Sequence, residues 1–272
     1  MDLNILDHVP EALLTTSVPD LIHTLPQPTL FDLPGRIEQP LFVSVLLHGN
    51  EDTGLLAAQE VLRRHQDRGL PRRLLLFVGN VAAAQARVRT LDSQLDFNRV
   101  WPGTLHSEAP ETALMQKVFD YVAARQPFAS IDIHTNTGLN PHYACLNRLE
   151  APFMHLARLF SRTVVFFEKP VGVQSAAMAQ VCPAVTVECG NTGDPTATAS
   201  AVEFIEACLA LSHFPDHPPQ AVDFDLLRTF AIVKVPRGVT FSFDGTEADI
   251  RFRDDIDHLN FSELAPGTTF GT

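Results

Sequence analysis

Residues 41–54, LFVSVLLHGNEDTG, decide how the chain is read. Seven mostly apolar residues, Leu41 to Leu47, run straight into His48-Gly49-Asn50-Glu51. A near-continuous apolar run suits a strand covered on both faces, as in an α/β sheet. The following TGLLAAQEVLRRHQDRG predicts a helix with Leu55, Ala58 and Leu62 on one face and Gly69 as its stop.

The same alternation continues outward. Further strands are expected near Leu74–Val78, through FASIDIH up to His134, at Thr163–Phe167 and at Ala184–Glu188. Helices are expected over PETALMQKVFDYVAARQ, over Pro152–Phe160 and from about Pro195 to Leu211. In the first of these Leu114, Val118, Tyr121 and Val122 face inward. The segment after the second strand, VAAAQARVRTLDSQLDFNRVWPG, reads as a loop with a helical turn. The first forty residues hold six prolines and read as irregular structure with short edge strands. Alternating strands and helices argue for a layered α/β sheet, whose ligands gather at the C-terminal ends of the strands.

The pattern changes after residue 211. HFPDHPPQ has three prolines in eight residues and reads as a linker. Beyond it come short apolar runs, TFAIVKV, VTFSF and ADIRF, separated by the turn signals PRG and DGT. Two units are therefore expected: residues 1–215 and a small β module at 220–272.

The net charge of -12 disfavours partners that need a basic face, both nucleic acid and anionic membrane. No apolar stretch approaches the length of a membrane span, and MDLNILDHVPEALL lacks the basic start of a signal peptide. The four cysteines, Cys145, Cys182, Cys189 and Cys208, form no C-x-x-C pair and are too sparse for a disulfide scaffold. Together these features predict a cytoplasmic protein.

His48 and Glu51 are three residues apart. With 11 histidines and 13 glutamates, about 0.5 such pairs arise by chance. A second pair, His8 and Glu11, contains Pro10 and follows no strand, so it marks what coincidence looks like. The His48 pair instead ends a buried strand, with Gly49 permitting a tight turn. A catalytic zinc site takes three protein ligands and keeps one position open. His134, at the end of IDIH, is the candidate third ligand. Asp132, two residues earlier on the same side of the strand, would accept the other ring N–H of an imidazole. In Asp96-Phe97-Asn98-Arg99, the Asn98–Arg99 pair offers a planar fork for a carboxylate beside an amide. Arg87 and Arg89 are both candidates to polarise a substrate carbonyl. In VTVECG, Glu188 ends a buried strand, where a carboxylate is costly unless paired or functional, and beside activated water it is a general base. Cys189 reads as a small buried residue.

HGNEDTG, DFNR, DIHTNTG and VTVECG, in that order, resemble the succinylglutamate desuccinylase/aspartoacylase family, a branch of the zinc carboxypeptidase-like hydrolases. The resemblance spans about residues 40–195. It implies a layered mixed sheet flanked by helices, with a small C-terminal β module. It also implies one Zn2+ per chain on His48, Glu51 and His134. Glu188 then serves as general base and acid, Asn98 and Arg99 as substrate contacts, and a preceding arginine, Arg89 or Arg87, as the oxyanion partner. The implied reaction is cleavage of the amide bond of an N-acyl amino acid; a zinc carboxypeptidase or peptide amidase acting on short peptides is the alternative. The family's second substrate-gripping arginine has no counterpart: no Arg occurs between Arg162 and Arg228, and Met178 stands near its place. A non-catalytic descendant would show erosion of a catalytic position, yet Glu188 and Arg99 are both present. No G-x-S-x-G occurs, which argues against a serine hydrolase.

Overall fold

The computed structural model describes residues 1–272. The strands are β1 (Asn4–Leu6), β2 (Thr29–Leu33), β3 (Gly35–Val45), β4 (Leu70–Val78), β5 (Ala129–Asn136), β6 (Tyr143–Leu146), β7 (Thr163–Phe166), β8 (Ala184–Asn191), β9 (Asp225–Arg228), β10 (Phe241–Ser242) and β11 (Ile250–Arg251). The α-helices are α1 (Leu21–Thr24), α2 (Thr53–His65), α3 (Val81–Ala86), α4 (Pro110–Ala123), α5 (Ala151–Phe160), α6 (Gln174–Met178) and α7 (Pro195–Ala210).

Nine strands form one mixed sheet in the order β1-β2-β4-β3-β5-β8-β6-β7-β9. Its centre, β4-β3-β5-β8, is parallel, while β2 and β6 run antiparallel to β4 and β8. The central strands are apolar and buried along most of their length, as a sheet covered on both faces requires. On one face α2, α5 and α7 pack together, and Gly54 of α2 lies against Val45 and Ile133. On the other, the Gln174 side chain of α6 donates to Ser130 Oγ at 2.8 Å. Alternation along β5 therefore aims Ile131 and Ile133 at α2, and Ser130, Asp132 and His134 at the α6 side. The chain leaves β3 toward β4 on one side, then returns to pair β5 on the other. That reversal makes a crevice at the C-terminal ends of β3 and β5.

The long loop after α3 is anchored by its own apolar residues. Phe97 and Trp101 are fully buried, and Trp101 packs against Phe42 and Phe77 with ring centroids 6.4 and 6.2 Å away. Two anchors four residues apart hold Asn98 and Arg99 at the crevice.

The strand and helix expectations between residues 41 and 211 match the structure to within a few residues. Two elements were not anticipated: β6 and α6, both five residues or fewer. The run TFAIVKV forms no strand, and Phe230 and Val233 lie 97% and 94% exposed. The partner strand explains this. β9 pairs β7 in parallel from Asp225 to Arg228, and β7 ends at Phe166, so no ladder remains for residue 229 onward. The expected boundary near residue 220 assigns β9 to the C-terminal unit, whereas its hydrogen bonds join it to the main sheet. Beyond it, β10 and β11 pair over two residues, beside a cluster of Phe241, Phe243 and Phe252. No helix is long and apolar enough to cross a membrane.

Candidate metal centre and its cavity

β3 ends in a strained turn. Leu46 is buried with φ 54°, a left-handed conformation that costs a bulky side chain roughly 1 kcal/mol or more. The turn carries His48 off the strand and over the crevice. Gly49 is needed for a different reason from the tight turn expected: a Cβ there would stand 2.1 Å from the Ala83 carbonyl carbon in α3. The strain sits three residues before the glycine, and the glycine lets two backbones touch.

Strand register then assembles the rest. Ser44 lies opposite Asp132, and His134 lies opposite Glu188. His48 Nδ1 is 2.8 Å from Glu51 Oε1, and His134 Nδ1 is 2.7 Å from Glu51 Oε2. The two Nδ1 atoms are 3.1 Å apart. His48, Glu51 and His134 are all buried, and one ligand atom from each lies within 4.8 Å of the others.

The outer nitrogen of each imidazole meets its own aspartate. His48 Nε2 is 2.9 Å from Asp96 Oδ1, and His134 Nε2 is 2.7 Å from Asp132 Oδ2. Each aspartate thus favours a proton on Nε2, which turns the Nδ1 lone pair toward the centre. Asp132 is itself held by Ser44 Oγ at 2.7 Å and Asn98 Nδ2 at 3.0 Å. Asp96 accepts from the Asn98 backbone N–H at 2.8 Å and from the Arg89 guanidinium at 3.0 Å. A carboxylate and two inward-facing nitrogens, each aimed by a bonded partner, are the donor set of a divalent transition metal with room for further ligands.

The electrostatics agree. Burial works to raise the Glu51 carboxyl, but the His134 and His48 imidazoles overcome it and hold it well below the usual carboxylate range. Asp96 is likewise held low, against burial, by His48 and Arg89. Burial would discharge His134, yet Asp132 and Glu51 raise its pKa well above the ordinary imidazole value. A buried positive charge is favoured at this centre. Glu188 behaves oppositely: burial, reinforced by Glu51, raises its carboxyl above the ordinary value, against the pull of His134. Its one side-chain partner is Asn136 Nδ2, at 3.3 Å.

A half-open cavity of about 370 Å³ covers this centre, within the range of small-molecule sites. Its lining includes His48, Glu51, His134, Glu188, Arg89, Asn98 and Arg99. Every one of the expected metal, acid–base and substrate residues therefore reaches one space, with Asp132 directly behind. Arg89 and Arg87, which the sequence left open, are separated. Arg89 lines this cavity, while Arg87 lies in another hollow with Ser17 and Asp52. Asn98 lines the cavity and is also bonded within the protein. Its Nδ2 donates to Asp132 and its Oδ1 accepts from Gln174 N–H at 2.8 Å, so both ends of the amide are engaged by the protein. Asp96, for which the sequence suggests no role, is the partner of His48. His8 pairs only with neighbouring Asp7 at the surface, away from any metal-like cluster.

Residues 39–212 match the family model described as the succinylglutamate desuccinylase/aspartoacylase catalytic domain. No curated relative matches the chain. Among solved structures, a succinylglutamate desuccinylase from Chromobacterium violaceum aligns with a TM-score of 0.58 at 20% identity, over 78% of this chain and 72% of that one. Its counterpart from Vibrio parahaemolyticus gives 0.62 at 16% identity, over 88% and 73%. The product-bound ectoine utilization protein EutE (DoeB) from Ruegeria pomeroyi gives 0.56 at 16% identity, over 84% and 66%.

Proposed function

This chain belongs to the succinylglutamate desuccinylase/aspartoacylase family, and from that premise we propose that it is a zinc-dependent hydrolase cleaving the amide bond of an N-acyl amino acid. One observation carries the reading: the Nδ1 atoms of His48 and His134 converge with the Glu51 carboxylate, each imidazole aimed by its own aspartate. In this reading those three residues hold one zinc ion. Zinc held there supplies Lewis-acid charge that polarises a carbonyl and acidifies water.

The chain's own groups supply the remainder. Glu188 takes a proton as the water oxygen adds to the amide carbon. In the metal-free protein burial raises its carboxyl above the ordinary value, which favours proton uptake. It returns the proton to the amine nitrogen as the C–N bond breaks, so water is consumed and a carboxylate and an amine are released. Arg89 faces the cavity and stabilises charge developing on the carbonyl oxygen. Arg99 binds a substrate carboxylate. Asn98 lines the cavity beside it and also ties Asp132 to the start of α6, which holds the centre in shape.

The direct test is hydrolysis of an N-acyl amino acid panel by the purified protein, before and after chelation. Turnover lost on chelation and restored by zinc is expected; turnover indifferent to chelation would remove the metal from the reaction. A second expectation follows from Asp132. Asp132→Asn keeps the shape but loses the charge that fixes the His134 tautomer, so zinc should bind about 10- to 100-fold more weakly. Competition against a chromogenic chelator measures it.

A further inference from the structure

The charges around the cavity set a limit on the substrate. Two guanidinium groups line it, Arg89 and Arg99. Arg89 is held at the metal centre by Asp96 Oδ2 at 3.0 Å and Glu51 Oε1 at 3.3 Å, where the reading above uses it for the reacting carbonyl oxygen. Arg99 forms no ion pair, and its one hydrogen bond to the protein goes to the Asn98 carbonyl oxygen. It is half-buried, and Asp96 and Asp132 act on its charge from nearby without bonding to it. A cation in that state is a strong carboxylate anchor.

Apart from the metal centre and Arg89, both engaged with the reacting carbonyl, no further cation lines the cavity for a second carboxylate. The wall from β7 to α6 is neutral, made by Phe167, Pro170 and Val173. Lys169, within that segment, is exposed and does not line the cavity. Met178, near the place of the family's second substrate arginine, is fully buried in the core and does not line the cavity either. The opposite side presents Asn136, Thr137 and Thr192, beside the Glu188 carboxylate. A second substrate anion would lose its hydration there and face acidic neighbours without a cation.

We infer that the substrate carries one carboxylate, bound by Arg99, and that its acyl group and side chain are uncharged, with an apolar portion against Phe167, Pro170 and Val173. This rests on the hydrolase reading above and narrows it to N-acyl derivatives of neutral amino acids. Substrates with two or three carboxylates, such as N-acylaspartate or N-succinylglutamate, are then poor ones.

Four compounds test it: N-acetyl-leucine, N-acetyl-leucinamide, N-acetyl-aspartate and N-succinyl-glutamate. With the zinc-loaded protein, kcat/KM for N-acetyl-leucine should exceed each of the others by about 100-fold, since a site built around one charge rejects both its absence and an unpaired extra. Arg99→Gln should reduce kcat/KM for N-acetyl-leucine to about that of the amide. Binding to Glu188→Gln protein, measured by calorimetry, gives the same ranking without turnover. Preference for either polycarboxylate overturns the substrate class while amide hydrolysis stands. Binding in the expected order without any turnover by the wild type overturns the hydrolase reading and keeps the class. No binding of N-acetyl-leucine, or binding that Arg99→Gln leaves unchanged, overturns the inference outright.

Discussion

Glu188→Gln is expected to lower kcat by about 1000-fold while the protein keeps its metal. The substitution preserves size, and Gln can still accept from Asn136, so the cavity should hold its shape. Glu188 lies outside the group whose ligand atoms converge, so metal content should not fall. What disappears is a base able to take and return a proton. A second readout comes from stability. The folded, metal-free protein raises the Glu188 carboxyl pKa above its unfolded value, chiefly through burial. For a group shifted that way, its contribution is fully favourable below the unfolded pKa and is lost as pH rises through the folded one. Above the unfolded value the wild type therefore loses stability that Gln, with no proton to give up, keeps. The metal-free variant should melt above the metal-free wild type near pH 7, with the gap closing as pH falls toward the carboxylate range. Near-normal turnover in this variant would take Glu188 out of the reaction; an unchanged Tm would contradict a destabilising burial of its carboxylate.

His134→Ala is expected to lose the metal and the activity together. Affinity should fall by about 1000-fold or more, because one of three protein ligands is gone. The change also strips Asp132 of its cationic partner while leaving it fully buried against Ser44 and Asn98. An uncompensated buried carboxylate costs about 3–5 kcal/mol, so Tm should drop as well. Glu51→Gln separates the two effects: it keeps a hydrogen-bonding side chain of equal size but gives up the anionic ligand. Metal loss in both variants, with a folded Glu51→Gln protein by circular dichroism, is the expected pattern.

The sequence carried much of this centre because its residues are local to strand ends. His48, Glu51, His134 and Glu188 each follow an apolar run, and parallel register brings such ends together. Asp132 was legible through two-residue alternation. The partnership of Asp96 with His48 was not. It joins residues 48 apart through a loop whose position depends on burying Phe97 and Trp101. The role of Asn98 was hidden for a similar reason: its amide oxygen is bonded by the first residue of α6, a five-residue helix too short to show periodicity. β6 escaped likewise, being four residues long. The opposite error, a strand at TFAIVKV, shows that alternation proposes a strand only where a neighbour is long enough to pair it. Arg89 and Arg87 part only in three dimensions, because α3 ends in a left-handed turn at Arg87 and the two side chains reach different hollows.

The most direct measurement is the metal content of the purified protein by elemental analysis, after zinc is supplied and excess removed. About one zinc per chain is predicted, falling to background in His134→Ala. No retained metal in the wild type, or the same amount in both proteins, would contradict the assignment of His48, Glu51 and His134 as a metal centre.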